Sequence, residues 1–402
     1  MRARAPGGLY FFGATSSRVG DEASIPALLL FGLALYGVPA TAAAVYAALT
    51  LASAIGGPLL GLVLDRVRRP GAALAGCLLG YGTGLAVLTA FAAFLPLPLV
   101  LAVAVATGLF GPALSGGWSS QLAHVLPGRE RAFSLDVATY NVAGLAGPAL
   151  AAVTATTWAP ATALTVAVVL VLLAAPAAWL LPLPDSQRRR RPPGLGRSVV
   201  AQLRDGFAPL LRVPGLRGAT LGSSVSFVGI GMFVVACPLL GAERFGEAGR
   251  GALLSTALAG ASLLATLVTA RWPSPLTPDQ MFLVSTLVQG LALLGAGLAE
   301  QPWLTVLAVL VLGFGDGPQL AAVFAVRHRD SPARNRAQVF TTAASVKVGS
   351  AAAGALLAGV LAEVSAAAVL LAAAATQLVA AVVAVLAGTP LGRGPGPPPR
   401  RG

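Results

Sequence analysis

Long apolar segments alternate with short polar or Pro/Gly-rich breaks along the whole chain. Each segment approaches or exceeds the roughly 20 residues that a helix needs to cross a bilayer. The breaks, such as those written YGVPAT and WPSPLTPD, carry the turn residues that end helices. The predicted spans are residues 9–35, 41–64, 72–94, 97–123, 132–157, 161–182, 216–240, 250–271, 280–299, 303–326, 337–361 and 365–388. The pattern therefore predicts an all-α membrane protein with twelve transmembrane helices.

Composition excludes a soluble protein. Hydrophobic residues make up 56% of the 402 positions and charged residues only 10%, whereas soluble domains carry about 25% charged residues. Cys77 and Cys237 both fall inside apolar segments, so we expect them to be packing residues and not a disulfide or a metal site.

The basic residues lie mainly in alternate loops. The net charge is +13, and every basic residue except Lys347 is an arginine. Arginines assigned to one set of loops include Arg129 and Arg327, while the opposite loops hold few. By the positive-inside rule, this predicts a multi-pass protein of the cytoplasmic (inner or plasma) membrane with both termini in the cytoplasm. Because these charges lie in short loops between apolar segments, we expect the protein to interact with the lipid bilayer and not with nucleic acid. We also expect a monomer.

A basic, proline-rich linker divides the spans into two sets of six. Segments near the loops repeat across it: Gly111 and Pro112 recur as Gly317 and Pro318. The repeat predicts two pseudo-symmetric six-helix bundles, as in duplicated transporter folds. The predicted units are an N-terminal bundle over 1–183, a cytoplasmic linker over 184–214, a C-terminal bundle over 215–390 and a disordered basic tail over 391–402.

Five charged residues fall inside predicted spans. They are Arg18, Asp21 and Glu22 in the first span, Asp316 in the tenth and Lys347 in the eleventh. Each costs roughly 2.5–3.5 kcal/mol at the bilayer centre, so such residues usually face a polar cavity. We therefore predict a site for substrate or protons, with the carboxylates binding protons or a cation.

Arg18 and Lys347 would tune those carboxylates or bind an anionic substrate. We expect the first span to face Asp316 and Lys347. Structural roles remain open: Asp21 as a residue that pins a broken helix, Asp316 as a structural partner of Lys347, and Lys347 as a snorkelling side chain. For Asp136 we expect pairing with loop arginines.

Short motifs resemble the major facilitator superfamily. The loop GLVLDRVRRP resembles the family's signature loop, with Gly61, Asp65, Arg66 and Arg69 at the matching positions; the resemblance implies a conformational latch. The segment GLAGPALAA resembles a fifth-helix pattern associated with antiporters and implies a kink at Gly147 and Pro148, with packing of small residues as the alternative. The first span also resembles the family's first-helix pattern.

The resemblance implies a central cavity and a secondary transporter that works by alternating access. We expect efflux of a small amphipathic compound coupled to a proton gradient, with uptake of a metabolite or organic anion, or a non-transporting membrane sensor, as alternatives. The sequence has no metal-ligand cluster and no nucleophile or nucleotide-binding motif, so we expect no cofactor, no metal and no enzymatic activity.

Overall fold

The computed structural model describes residues 4–67, 69–125, 129–182, 208–272, 274–331 and 336–388. These residues form helices and short connections, and none of them lies in a strand. The helices are α1 (Arg4–Tyr36), α2 (Pro39–Arg66), α3 (Pro70–Phe91), α4a (Leu97–Gly108), α4b (Trp118–Val125), α5 (Arg129–Thr157), α6 (Pro160–Trp179), α7 (Pro214–Phe245), α8 (Ala252–Arg271), α9 (Pro278–Leu298), α10 (Pro302–Asp330), α11 (Arg336–Leu361) and α12 (Ala366–Leu386).

Each predicted span corresponds to one of these helices, with α4a and α4b together forming the fourth. Eleven stretches of the described chain are long and apolar enough to cross a membrane by themselves. The remaining helix, α5, begins with a polar segment, RERAFSLD, but it packs alongside α1 and α8 as the other spans do. The fold class expected from the sequence is confirmed.

Proline and glycine set the helix limits. Six helices begin with proline: α2, α3, α6, α7, α9 and α10. Proline is tolerated there because a backbone N–H in the first turn has no acceptor within the helix. Thr277 and Gln280 form a reciprocal capping box at the start of α9. Gly246 ends α7 with a φ of 75°, a left-handed conformation that glycine adopts without strain.

The two largest apolar cores are formed by the helices before the linker and the helices after it. The first is built from buried side chains of α1 to α6, and the second mainly from α7 to α12. Leu29 of α1, with Ala43, Tyr46 and Ala47 of α2, joins the second core. The linker predicted over 184–214 is described only from residue 208, and the tail over 391–402 lies outside the described residues.

The two bundles meet through small residues. We call the membrane face where α1 begins the terminal side, and the opposite face the far side. At the far side, a methyl group added at Gly359 of α11 would lie 2.8 Å from Cβ of Ala43, and one added at Gly249 would lie 2.6 Å from Cγ2 of Thr156. Nearer the membrane centre, a methyl at Gly349 would lie 3.8 Å from Ala54. The interface is therefore closest at the far side.

Gly359→Leu should separate α2 from α11 and lower the free energy of unfolding by about 1–3 kcal/mol, the usual cost of overpacking. The thermal unfolding of the purified protein in detergent measures this change. Gly76→Leu is the control, because a methyl there meets nothing within 4 Å. Equal unfolding midpoints for the two variants would contradict the close approach at Gly359.

Candidate functional site

Arg18 forms a buried ion pair with Asp136. The Arg18 side chain is 2% exposed, and its Nη1 donates to Asp136 Oδ1 over 2.7 Å. The same nitrogen donates to the Thr139 hydroxyl and to the Asp136 carbonyl. A buried ion pair is stable only when the remaining donors and acceptors are also satisfied.

Neighbouring side chains supply those partners. The Tyr10 hydroxyl donates to Asp136 Oδ1 over 2.8 Å, and Ser119 Oγ donates to Asp136 Oδ2 over 2.7 Å. The Arg18 guanidinium lies 3.7 Å from the centre of the Tyr140 ring, a cation–π contact. The pair therefore joins α1, α4b and α5 into one unit.

A break in the fourth span contributes a backbone acceptor to this unit. After α4a, a turn at Leu109 and Phe110 interrupts the helix, and a π-helical turn follows over Ala113–Gly117. Such a turn alters the regular carbonyl pairing and often marks a functional position. Arg18 Nη2 donates to the Ser115 carbonyl in this turn over 3.1 Å.

This arrangement differs from the sequence expectation. Arg18 was predicted to tune Asp21, Glu22 and Asp316, and Asp136 was predicted to pair with loop arginines, but the structure pairs Arg18 with Asp136. The reason is the side-by-side packing of α1 and α5, where a methyl at Gly147 would lie 2.5 Å from Glu22 Cβ. That packing brings together residues far apart in the sequence.

Asp21 and Glu22 are half-buried on the next turn of α1. The Tyr81 hydroxyl of α3 donates to Asp21 Oδ1 over 2.9 Å. Glu22 has no hydrogen bond or ion pair with any described residue. The described polar contacts of Arg18 and Asp21 stay within the N-terminal bundle, so they do not include the expected partners Asp316 and Lys347.

Asp316 and Lys347 are the two charged residues predicted inside spans of the C-terminal bundle, and the structure shows no ion pair between them. Ser262 Oγ of α8 donates to Asp316 Oδ2 over 2.9 Å. Lys347 Nζ lies 3.6 Å from the centre of the Phe227 ring of α7. The Asp316 and Lys347 side chains are both half-buried, so each is partly accessible.

The C-terminal bundle also has an uncharged polar cluster in its interior. Ser226 Oγ donates to Gln377 Oε1 over 2.7 Å, and Gln319 Nε2 donates to Thr286 Oγ1 over 2.8 Å and to Ser226 Oγ over 3.1 Å. All four residues are almost fully buried. The cluster joins α7, α9, α10 and α12 in the way the ion pair joins helices of the N-terminal bundle.

Sequence analysis missed Arg327 as an intramembrane residue. It was assigned to a loop because it stands near other arginines, but it lies inside α10 and is 1% exposed. Its only hydrogen bond to a described residue is from Nη2 to Ser223 Oγ, at 3.4 Å. The apolar segment AAVFAV directly before it was the available signal that the span continues.

The predicted latch is only partly described. Gly61, Asp65 and Arg66 belong to α2, but their side chains lie outside the described residues; Arg69 is exposed directly before α3. The predicted kink at Gly147 and Pro148 falls within α5, which is assigned as one helix through both residues. Among the described residues, no group of three His, Cys, Asp or Glu is placed to hold a metal.

Asp136→Asn should leave the Arg18 guanidinium buried without a counterion and lower the free energy of unfolding by about 3–5 kcal/mol. Unfolding in detergent, followed by intrinsic fluorescence, measures the loss. Glu363→Gln removes an exposed carboxylate and should leave stability unchanged. If both variants unfold alike, the ion pair does not support the fold.

Comparison with known proteins agrees with the geometry. The sequence profile described as Major Facilitator Superfamily matches residues 10–340. Comparison with curated protein sequences gives no match. Solved structures with a similar fold include the nucleoside transporter NupG, with 15% identity, a TM-score of 0.73, and coverage of 94% of this chain and 98% of that chain.

Two further structures are similar over nearly the whole chain. One is a POT family transporter in complex with a thioalcohol conjugated peptide, with 14% identity, a TM-score of 0.72 and 94% coverage of both chains. The other is the human organic anion transporter MFSD10 (TETRAN), with 18% identity, a TM-score of 0.67, and coverage of 96% of this chain and 100% of that chain. At these identities the likeness shows the fold, and the profile match shows the family: the chain belongs to the major facilitator superfamily.

Proposed function

We propose that this protein is a secondary transporter that exports a small amphipathic compound by alternating access, driven by a proton gradient. One observation carries the proposal: Glu22, Asp316 and Lys347 are half-buried inside spanning helices and form no ion pair within the described part of the chain. Unpaired charges in a membrane are costly and are characteristic of substrate and proton pathways.

Asp316 is the leading candidate for the coupling group. Its one described hydrogen bond comes from the neutral hydroxyl of Ser262, so its negative charge is free to attract Lys347, the half-buried cation of α11. Binding a proton at Asp316 would remove that attraction, and releasing the proton would restore it. Proton exchange at this residue would therefore change the position of Lys347, which lies on the helix that contacts the N-terminal bundle.

Glu22 is the matching candidate in the N-terminal bundle. It lies where α1 and α5 approach most closely, against Gly147, so its charge state would act on the contact between those helices. Asp21 is held by Tyr81 and is better suited to positioning.

The packing of the two bundles supports alternating access. Their closest contacts, at Gly359 and Gly249, lie on the far side, and they are made by small apolar groups. Such contacts can separate without leaving polar groups unpaired, which a rocking motion between bundles requires. If the termini lie in the cytoplasm as we predict, these far-side contacts would be the ones that open toward the outside.

Two features bear on the direction of transport and on the solute. The antiporter-like segment around Gly147 and the apolar α1 and α7 favour efflux of an amphipathic compound. Uptake of an organic anion is the second candidate, because Lys347 is a cation without a paired carboxylate among the described residues. The similar structures, which include nucleoside, peptide and organic anion transporters, do not decide between these solutes.

Asp316→Asn and Glu22→Gln should each abolish pH-driven transport, because neither amide can carry the proton. Transport is measured in proteoliposomes with an imposed pH difference, using cationic ethidium, anionic carboxyfluorescein and neutral N-phenylnaphthylamine as probes. A protonophore should stop the wild-type signal.

Glu300→Gln is the control, since Glu300 is an exposed carboxylate between α9 and α10. It should transport as the wild type does. Full pH-driven transport of a probe by both Asp316→Asn and Glu22→Gln would refute the coupling role of these residues.

A further inference from the structure

Arg327 is an almost fully buried cation without a counterion among the described residues. Its Nε has no hydrogen-bond partner, and the contact of Nη2 with Ser223 Oγ is long, at 3.4 Å. An isolated buried charge is strongly unfavourable. An arginine in such a place is therefore suited to an anion that the described residues do not supply.

Two described carboxylates at this end of α10 are engaged by the neighbouring Arg329. Asp330 and Asp279 both bind Arg329, with closest distances of 2.7 and 2.6 Å. Asp316 stands eleven positions before Arg327 on the same helix, which is roughly 16 Å at 1.5 Å per residue. No described carboxylate forms an ion pair with Arg327.

The helix opposite Arg327 presents three hydroxyls on one face, of which that of Ser223 donates to the Thr220 carbonyl and accepts from Arg327. Thr220, Ser223, Ser224 and Phe227 of α7 are spaced by three, four and seven residues, so they share a face. Thr220 Oγ1 and Ser224 Oγ are buried and have no hydrogen-bond partner. They are donors for a ligand oxygen.

A second cation, Lys347 of α11, lies against the same face of α7, one turn beyond Ser223. Lys347 Nζ lies 3.6 Å from the centre of the Phe227 ring, and Phe227 follows Ser223, the residue that contacts Arg327, by four positions on α7. Two like charges near the same helix face oppose each other until an anion binds between them. Because Lys347 and Phe227 are half-buried while Arg327 is fully buried, they form the accessible end of this group.

We propose that Arg327, Lys347 and the hydroxyls of Thr220, Ser223 and Ser224 bind the anionic group of an amphipathic molecule, a phosphate, sulfonate or carboxylate. Phe227 provides an apolar surface beside that group. The assignment of the molecule as the transported solute rests on the proposed function. The same chemistry would accept an anionic lipid headgroup, so the test separates the two sources.

The test uses the full chain in nanodiscs of phosphatidylcholine and measures the thermal unfolding midpoint with added benzenesulfonate. The midpoint of the wild type should rise with benzenesulfonate and not with benzenesulfonamide, its neutral analogue. Arg327→Gln and Lys347→Gln should each weaken binding by about tenfold or more, since each removes a charge-assisted contact. Arg271→Gln, which changes an exposed arginine at the end of α8, should bind as the wild type does.

Folding of the key variant is checked in the same experiment. Because Arg327 has no counterion in the part of the chain that the structure describes, Arg327→Gln should keep or raise the unfolding midpoint without ligand. A lower midpoint would mean a structural role and would overturn the proposal. An unchanged benzenesulfonate response in the double variant Arg327→Gln, Lys347→Gln, or no response in the wild type, would also overturn it.

A second arm replaces part of the phosphatidylcholine with phosphatidylglycerol. If this alone raises the wild-type midpoint and cancels the benzenesulfonate response, the anion site is supported but its assignment to the solute is refuted. No change from the lipid would support the solute. Binding needs no pH difference, so failure of proton coupling and failure of this site are measured separately.

Discussion

The cost of placing a charge in the membrane interior organises this protein. Arg18 meets that cost by pairing with Asp136, and hydroxyls and a carbonyl released at the break in the fourth span satisfy most of the remaining groups. In the C-terminal bundle, the uncharged side chains of Ser226, Thr286, Gln319 and Gln377 satisfy one another by hydrogen bonds. Each bundle thus has a satisfied polar centre that fixes its own helices.

Four charged residues outside those two polar centres are not paired with any described residue. Glu22, Asp316, Lys347 and Arg327 have no counterion among the described residues, and three of them lie within one bundle. Meanwhile the bundles approach most closely at the far side, where Gly359 lies against Ala43 and Gly249 against the Thr156 methyl, contacts that hold no polar pair. Rigid units, a separable interface and unpaired charges are what a rocking transporter requires, since the charges can respond to a proton or solute while each bundle stays intact.

The fold could be predicted from the sequence because it depends on local quantities: the length of each apolar segment, the prolines at helix starts and the alternation of loop charge. Membrane constraints make these signals strong. The site could be predicted only in part. Residue type placed Asp316 and Lys347 inside spanning helices, where the structure has them. The partner of Arg18, however, depends on how α1 and α5 pack, and Arg327 stands beside other arginines that suggest a loop. Pairing across helices is not a local property, so spacing along the chain cannot reveal it.

The central claim is that the two bundles rock about their shared interface, and distances between spin labels test it most directly. One pair, at Val38 and Val364, reports on the far side, and a second pair, at Arg69 and Trp272, reports on the terminal side; all four positions are exposed. On acidification of the full chain in nanodiscs, the account predicts that the far-side distance lengthens while the terminal-side distance shortens. Distances that stay unchanged at both sides, or that change in the same direction, would contradict it.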